Sequence, residues 1–249
     1  MLSFLNRSTN SLKTASPLLS FVETDWHCHL LPGIDDGAQT EAETLAMLQE
    51  YGRLGIKKIV ATPHVHSDFF RNTPQTIKEA LAKTQQLITQ HQIPVGVEAA
   101  AEYFADENFM DLIEHDLLLP IDNQYILFEL PMNQPSLLGN KLVEKIQKKG
   151  YLPVLAHPER YRYWHNKPLH EVAQWKEKGV YFQLNLLSLT GHYGQAERKT
   201  AEQFLEANLI DAVGTDAHGT RHLQKLAQLA GNPHFETLQQ LPLLNQSGL

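Results

Sequence analysis

The chain has 249 residues, 42% of them hydrophobic and 20% charged, which supports a sizeable core and argues against a disordered chain. A formal net charge of -7 argues against nucleic-acid binding, which needs clustered Lys and Arg to displace counterions. A single cysteine, Cys28, excludes an internal disulfide framework, and no apolar run approaches the roughly 20 residues of a membrane helix, so a cytoplasmic protein without membrane insertion is expected.

Residues 1–20 lack a long apolar core behind a basic start and read as a flexible lead-in, not a signal peptide. Residues 20–28 predict a first strand, and 41–55 an amphipathic helix closed by Gly55. A second strand covers 56–64, followed by a helix over 73–92 with a Thr-Pro start. A third strand covers 93–104, with a short helix at 107–116. A fourth strand at 124–130 leads to a helix at 136–150 closed by Gly150, and a fifth strand at 151–160 to a helix at 168–179. The sixth strand covers 180–189 with a helix at 195–208, and the seventh covers 209–218 with a helix at 221–230. Residues 241–249 read as a tail, which leaves one domain over 21–240. Strands alternating with helices, and apolar with little polar alternation, argue for a parallel α/β sheet covered on both faces.

Each strand end but the sixth carries a metal-capable side chain. The first ends in His27 and His29, with Asp36 in the loop beyond; the second ends in His64. The third carries Glu102, the fourth Glu129 and the fifth His157, and the seventh ends in Asp216 and His218. A closed barrel brings the C-terminal ends of all its strands onto one face, whereas an open doubly wound sheet gathers only those near its switch point. A seven-stranded (β/α) barrel is therefore expected. Residues i and i+2 of a strand share a face, so His27 and His29 can bind one cation together, as can Asp216 and His218. Nine ligands exceed the needs of one ion and imply two or three divalent cations. Imidazole and carboxylate without thiolate suit manganese, iron or zinc.

Competing assignments exist along the chain. Asp35 reads as a turn residue in "PGIDDG", with only Asp36 facing a metal. His66 and Glu98 compete with His64 and Glu102, and the position of His64 directly after "ATP" at a strand end favours it. His91, His115, His165, His170 and His222 fall in helical or loop patterns and read as surface residues, while His192 is balanced between pocket and surface. Cys28, alternating with two histidines, points away from them and reads as core.

The stretches "DWHCHLLPGIDDGA", "ATPH", "AEYF", "LAHPERY" and "GTDAH" together resemble the polymerase-and-histidinol-phosphatase (PHP) superfamily, and more narrowly the bacterial manganese-dependent protein tyrosine phosphatases of capsule and exopolysaccharide operons. The resemblance runs over roughly residues 22 to 235. It implies a distorted (β/α)7 TIM-like barrel of PHP type with a trinuclear Mn2+ site. By analogy, His27, His29, Glu102 and Asp216 hold one ion. Glu102 bridges to a second at Glu129 and His157, and Asp36, His64 and His218 hold the third. Arg160 in "HPER" resembles the family's phosphate-binding arginine; Arg221 is a second candidate, with a helix-start residue as the alternative. The implied activity is hydrolysis of phosphotyrosine on a bacterial tyrosine kinase that governs polysaccharide export. The rivals are a small-molecule phosphatase, such as one acting on histidinol phosphate, and a catalytically inert metal-binding domain. A DNA exonuclease of the same superfamily is disfavoured by the negative charge, and a thiol-phosphate mechanism by the absence of arginine six residues after Cys28, where Ile34 stands.

Overall fold

Short parallel strands and the helices between them build the fold of residues 17–246, the part described by the computed structural model. In chain order the elements are β1 (Thr24–Asp25), α1 (Glu41–Leu54), β2 (Lys58–Ala61), β3 (His64–Val65), α2 (Pro74–His91), β4 (Gly96–Ala99), β5 (Glu102–Phe104) and α3 (Glu107–Glu114). There follow β6 (Tyr125–Glu129), α4 (Gly139–Lys148), β7 (Leu152–Ala156), α5 (Leu169–Glu177), β8 (Tyr181–Asn185), α6 (Leu186–Leu189), α7 (Gln195–Glu206), β9 (Ala212–Gly214), α8 (Thr220–Lys225) and α9 (Phe235–Gln240). The mixed α/β class agrees with the expectation.

All strand pairs are parallel, in two sheets ordered β1-β2-β4 and β3-β5-β6-β7-β8-β9. The second expected strand is broken into β2 and β3 at Pro63, which has no N–H to give to a ladder. The third is likewise divided into β4 and β5. Backbone bonds carry the two sheets past these breaks: Ala100 donates to the Ala61 carbonyl and Glu102 to that of Pro63. Beyond β1, the Thr62 amide donates to the Cys28 carbonyl, the Asp216 amide to that of His27, and the His29 amide to that of Ala217. First and last strands therefore meet where the site lies.

Side-chain alternation sorts the core into two clusters. Ile126 and Phe128 of β6, and Leu155 of β7, pack in the large cluster beneath the helices. Leu127, Val154, Ala156, Ala100, Ala212, Val60 and Trp26 form a second, smaller cluster. Glu129 follows Leu127 by two residues and Glu102 follows Ala100 by two. Each carboxylate thus stands on the face whose lower part is this apolar floor.

Helix ends follow local chemistry. Thr40 and Glu43 form a capping box at α1, which stops at Gly55 in the left-handed conformation, φ 89°. Thr73 caps α2, with Pro74 in its first turn.

Several boundaries differ from the sequence reading. The first strand shrinks to two residues. The sixth ends at Asn185, whose side chain accepts from the Leu187 amide and starts α6; an apolar run such as "LLSL" does not distinguish strand from buried helix. The helix expected over 136–150 begins at Gly139, and that over 221–230 passes from α8 into a 3-10 turn at Leu226–Gly231. The expected lead-in and tail are packed where they are described. Leu19 is fully buried and its amide donates to the Leu54 carbonyl; Leu243 is fully buried, and the Asn245 amide group donates to the carbonyls of Thr24 and Val213. The first of these contacts ties 17–20 to the end of α1, and the others tie 241–246 to the first and last strands. Residues 1–16 and 247–249 lie outside the described residues. Among the described residues no helix is long and apolar enough to cross a membrane.

Candidate metal centre

Nine side chains from seven places in the chain, all but Asp36 at or just beyond strand ends, converge on one place. Glu102 is at the centre. Its Oε2 lies 3.0 Å from His64 Nδ1, 3.2 Å from His27 Nε2 and 3.6 Å from His29 Nε2, and its Oε1 lies 3.0 Å from His157 Nε2. Glu129 approaches His64 to 3.5 Å and His157 to 3.8 Å. Asp216 Oδ1 sits 3.3 Å from His29, and 3.5 Å from both His27 and His218. Asp36 completes the outer edge, 3.6 Å from His64 and 3.4 Å from His218. Glu102, His27 and His29 are wholly buried; Asp36 is exposed.

The outer contacts of the rings fix what points inward. Gln183 donates its Nε2 to the Leu184 carbonyl, so its oxygen faces His27 and accepts from Nδ1 at 2.8 Å. Asp35 accepts from His29 Nδ1 at 2.8 Å. The Asp216 backbone carbonyl accepts from His218 Nδ1 at 2.9 Å. Each ring therefore carries its proton on Nδ1 and turns an Nε2 lone pair into the cluster. The Nε2 atoms of His27 and His29 stand 3.2 Å apart, lone pair to lone pair, among carboxylates. Glu102 Oε2 is buried without a hydrogen-bond donor. Such an arrangement of electron pairs calls for cations, and the outer hydrogen bond carried by His27, His29 and His218 is the usual support of a metal ligand.

Charge effects agree. Burial disfavours the imidazolium of His27, but the Glu102 and Asp216 carboxylates outweigh it and raise its pKa to about 9. Burial likewise opposes, and the charge of Glu102 overcomes, at His64, raised to about 10. At His218 burial is outweighed by Asp36 and Asp216, and the value rises to about 9. Glu129 is pushed up to about 8, by burial first and the charge of Glu102 second. Without another cation, the cluster gathers protons in its place. His157 is lowered to about 4, by burial and by the neighbouring Arg160 charge.

Four overlapping groups have donor atoms within 4.8 Å of one another: His29, Asp36, His64 and His218; His27, His29 and Asp216; His27, Glu102 and His157; and His64, Glu102 and Glu129. The second expected set, Glu102 with Glu129 and His157, is divided between two of these groups, because Glu102 uses its two oxygens in different directions. Two of the nine residues have left-handed backbones, His157 at φ 36° and Asp216 at φ 48°. Such strain at non-glycine residues is held in place by surrounding structure and clusters at functional sites.

Arg160 donates to Asp216 Oδ2 at 2.6 Å, and its guanidinium lies 4.2 Å from the centre of the Tyr193 ring. Asn185 at 2.7 Å and the Tyr193 hydroxyl at 3.2 Å donate to the same oxygen. Oδ2 is thus occupied from outside while Oδ1 faces the rings. Arg221 is exposed on α8 and makes no ion pair with the nine side chains among the described contacts; with Glu43, Met47, His218 and His222 it lines an adjoining cavity of about 330 Å³. The reading of Asp35 as a turn residue is incomplete. It is buried, and it accepts from the Gly37 and His64 amides as well as from His29. Glu98 pairs with Lys58 instead, and His66 stacks on Phe104, which leaves Glu102 and His64 in the cluster. His192 packs edge-on against Tyr193 and His222, one shell out from the nine. Sequence reasoning missed Gln183, Asn185 and Tyr193; "FQLN" at the end of β8 was the available signal, two polar residues in an otherwise apolar strand.

A parallel α/β scaffold with clustered candidate metal ligands at its strand ends is the class that fold and site define. A family model described as capsular polysaccharide synthesis, CpsB/CapC, matches residues 23–229. The chain belongs to this family. It is 36% identical over 200 residues to the tyrosine-protein phosphatase YwqE of Bacillus subtilis (strain 168), covering 79% of this chain and 78% of that protein. It is 26% identical over 200 residues to the tyrosine-protein phosphatase CpsB of Streptococcus pneumoniae, covering 78% and 82%. A solved structure, from work describing YwqE and CpsB as metal-dependent tyrosine phosphatases, superposes with a TM-score of 0.76 at 30% identity over 91% of this chain and 96% of that one. A lactonase of Listeria monocytogenes, at 12% identity and TM-score 0.51, shares the fold alone, over 90% of this chain and 86% of its own.

Proposed function

We propose that the chain is a metal-dependent protein tyrosine phosphatase acting on phosphotyrosine of a bacterial tyrosine kinase that controls capsular or exopolysaccharide synthesis. The observation that carries this reading is the ring of inward lone pairs and carboxylates around Glu102, with a half-exposed arginine fixed at its edge, in a member of the CpsB/CapC family. We read the two sheets as one distorted seven-stranded barrel of PHP type: β2–β3 and β4–β5 as single interrupted strands, closed by the bridge between Cys28 and Ala217. Closure accounts for donors from seven places in the chain lying together.

His27, His29, Asp36, His64, Glu102, Glu129, His157, Asp216 and His218 would hold two or three divalent ions, with Glu102 shared. The thiolate-free donor set suits Mn2+, and Fe or Zn are compatible with it. When bound, such ions acidify water and draw charge from a phosphoryl group. The chain's own residues supply the rest. Gln183, Asp35 and the Asp216 carbonyl hold protons on the outer nitrogens of His27, His29 and His218, keeping the inner ones free to ligate. Asn185 and Tyr193 hold Asp216 in place. Arg160, lying on Tyr193, presents a planar fork to phosphoryl oxygens, a geometry that matches phosphate and neutralises charge developing on it.

The test is turnover of a phosphotyrosyl peptide, histidinol phosphate and para-nitrophenyl phosphate by Mn2+-loaded protein, with and without chelator. Chelator-sensitive hydrolysis with preference for the peptide is expected. A preference for histidinol phosphate would replace the protein substrate by a small one, and no chelator-sensitive rate would leave an inert metal-binding domain.

A further inference from the structure

A row of aromatic rings continues outward from His64 and Glu102 along β3 and β5. His64 pairs with Glu102 and Val65 with Tyr103 across β3 and β5. The same register carried one residue further sets His66 beside Phe104, and these rings stack 4.1 Å apart. His66 and Phe104 stand two residues beyond His64 and Glu102, on the same faces and about 7 Å higher. Phe69 packs edge-on to His66 at 4.8 Å, and Phe70 stacks on His64 at 5.4 Å.

The segment bearing these rings is fixed. His66 and Phe70 exchange two backbone hydrogen bonds. The Ser67 amide donates to Asp106, the Asp68 amide to His66 Nδ1, and Arg71 Nε to the Ser67 carbonyl. Asn72 donates to the carbonyls of Ile34 and His64, which binds the base of the turn to the site. Yet the tip holds Phe69 74% exposed. A large apolar ring exposed on a hydrogen-bonded turn costs little backbone entropy to order when a ligand covers it.

We infer that this wall, with Phe69 at its tip, receives the phenyl ring of phosphotyrosine and sets the preference for aryl over alkyl phosphate. The inference rests on the phosphatase reading above and adds the residues that select the ester. A phosphoryl group among the lower donors and Arg160 leaves the ester oxygen and ring of an aryl phosphate to span the step to the upper row. The side chain of phosphoserine is too short to reach it, and its methylene offers no face to stack. Ring-on-ring contact favours offset or edge-to-face packing, which Phe69 and His66 both leave open.

The experiment uses the full chain loaded with Mn2+ and two peptides of one sequence, one phosphotyrosyl and one phosphoseryl. Phenyl phosphate and methyl phosphate serve as the small-molecule pair. In Phe69→Ala the aryl-over-alkyl ratio of kcat/KM is expected to fall roughly three- to tenfold, the size of one ring contact, chiefly through KM. Phe69→Trp should restore it. Affinity for the peptide carrying non-hydrolysable phosphonomethylphenylalanine, read by fluorescence anisotropy, should fall by the same factor. A ratio unchanged in Phe69→Ala, or equal losses on aryl and alkyl esters, overturns the inference. The wild-type preference between the two peptides is read separately: if phosphoserine wins, the tyrosine reading fails, while the phenyl-to-methyl ratio still judges the wall. Phe69 is exposed, so the variant should melt like the parent, and Phe104→Leu gives an independent second reading of the same ratio.

Discussion

Replacing Asp35 by Asn removes one charge and almost no volume, and so tests whether the outer contacts of the rings matter. Both oxygens of Asp35 accept: Oδ2 from His29 Nδ1 at 2.8 Å and the His64 amide at 3.2 Å, Oδ1 from the Gly37 amide at 3.0 Å. An amide has one acceptor. If its oxygen faces His29, its NH2 meets the Gly37 N–H, donor against donor. If it turns, the NH2 faces His29 Nδ1, which must give up its proton, and Nε2 then carries hydrogen into the cluster, where it cannot ligate. Loss of a hydrogen bond to a charged group costs about 1.5–3 kcal/mol. Loss of such outer support lowers metal affinity about 10- to 100-fold, or roughly 1.4–2.7 kcal/mol. The two magnitudes agree. Calorimetric titration of chelator-stripped Asp35→Asn with Mn2+ should show this weakening, with a matching loss of para-nitrophenyl phosphate hydrolysis at limiting metal. Affinity and rate equal to the parent's would refute the argument that fixed tautomers make this cluster a metal site.

Arg160→Ala should lower kcat/KM for a phosphotyrosyl peptide by roughly 100-fold or more, the scale of losing one positioned donor to a developing anion. Arg160→Lys should recover little of it, because an ammonium lacks the planar fork that lies on Tyr193; steady-state kinetics decides. Melting temperature against pH probes the stripped site. The pKa values of His27, His64 and His218 are raised in the fold, to about 9, 10 and 9, so their contribution is complete below about pH 6.5 and lost as pH climbs toward 10. Glu129, raised to about 8, acts in the same direction. The chelated protein should therefore lose stability between pH 7 and 10, whereas Mn2+ affinity should strengthen over that range as ligands shed protons; a flat stripped curve would count against the cluster. Gly37→Ala would drive a methyl group into the His29 backbone carbonyl. It should cut Mn2+ binding and activity together, while Gly150→Ala, where nothing lies within 4 Å but φ is 85°, should cost only modest stability.

Much of the site was legible because its parts are local. The i, i+2 spacing of His27 with His29 and of Asp216 with His218 is a strand rule, and the carboxylates at 102 and 129 follow apolar runs that end as strands do. What escaped was whatever depends on distant residues. Gln183 orients His27 from 156 positions away, and Asn185 holds Asp216 from 31. No spacing rule connects such pairs. Asp35 escaped for another reason: a carboxylate in a turn satisfies local amides whether or not it also holds a ring.

By itself the sequence determined the alternation of strand and helix, the parallel class and the types of donor at strand ends, since all three are written in periodicities of two and 3.6 residues. Only the tertiary structure decided between His64 and His66 and between Glu98 and Glu102. It also packed Leu19 and Leu243 into the body, and left Arg221 outside the ring of nine. The physical reason is one of range. Backbone preference and amphipathic spacing act over a turn or a strand. Which lone pair faces inward is set by hydrogen bonds that form only after the chain has closed on itself.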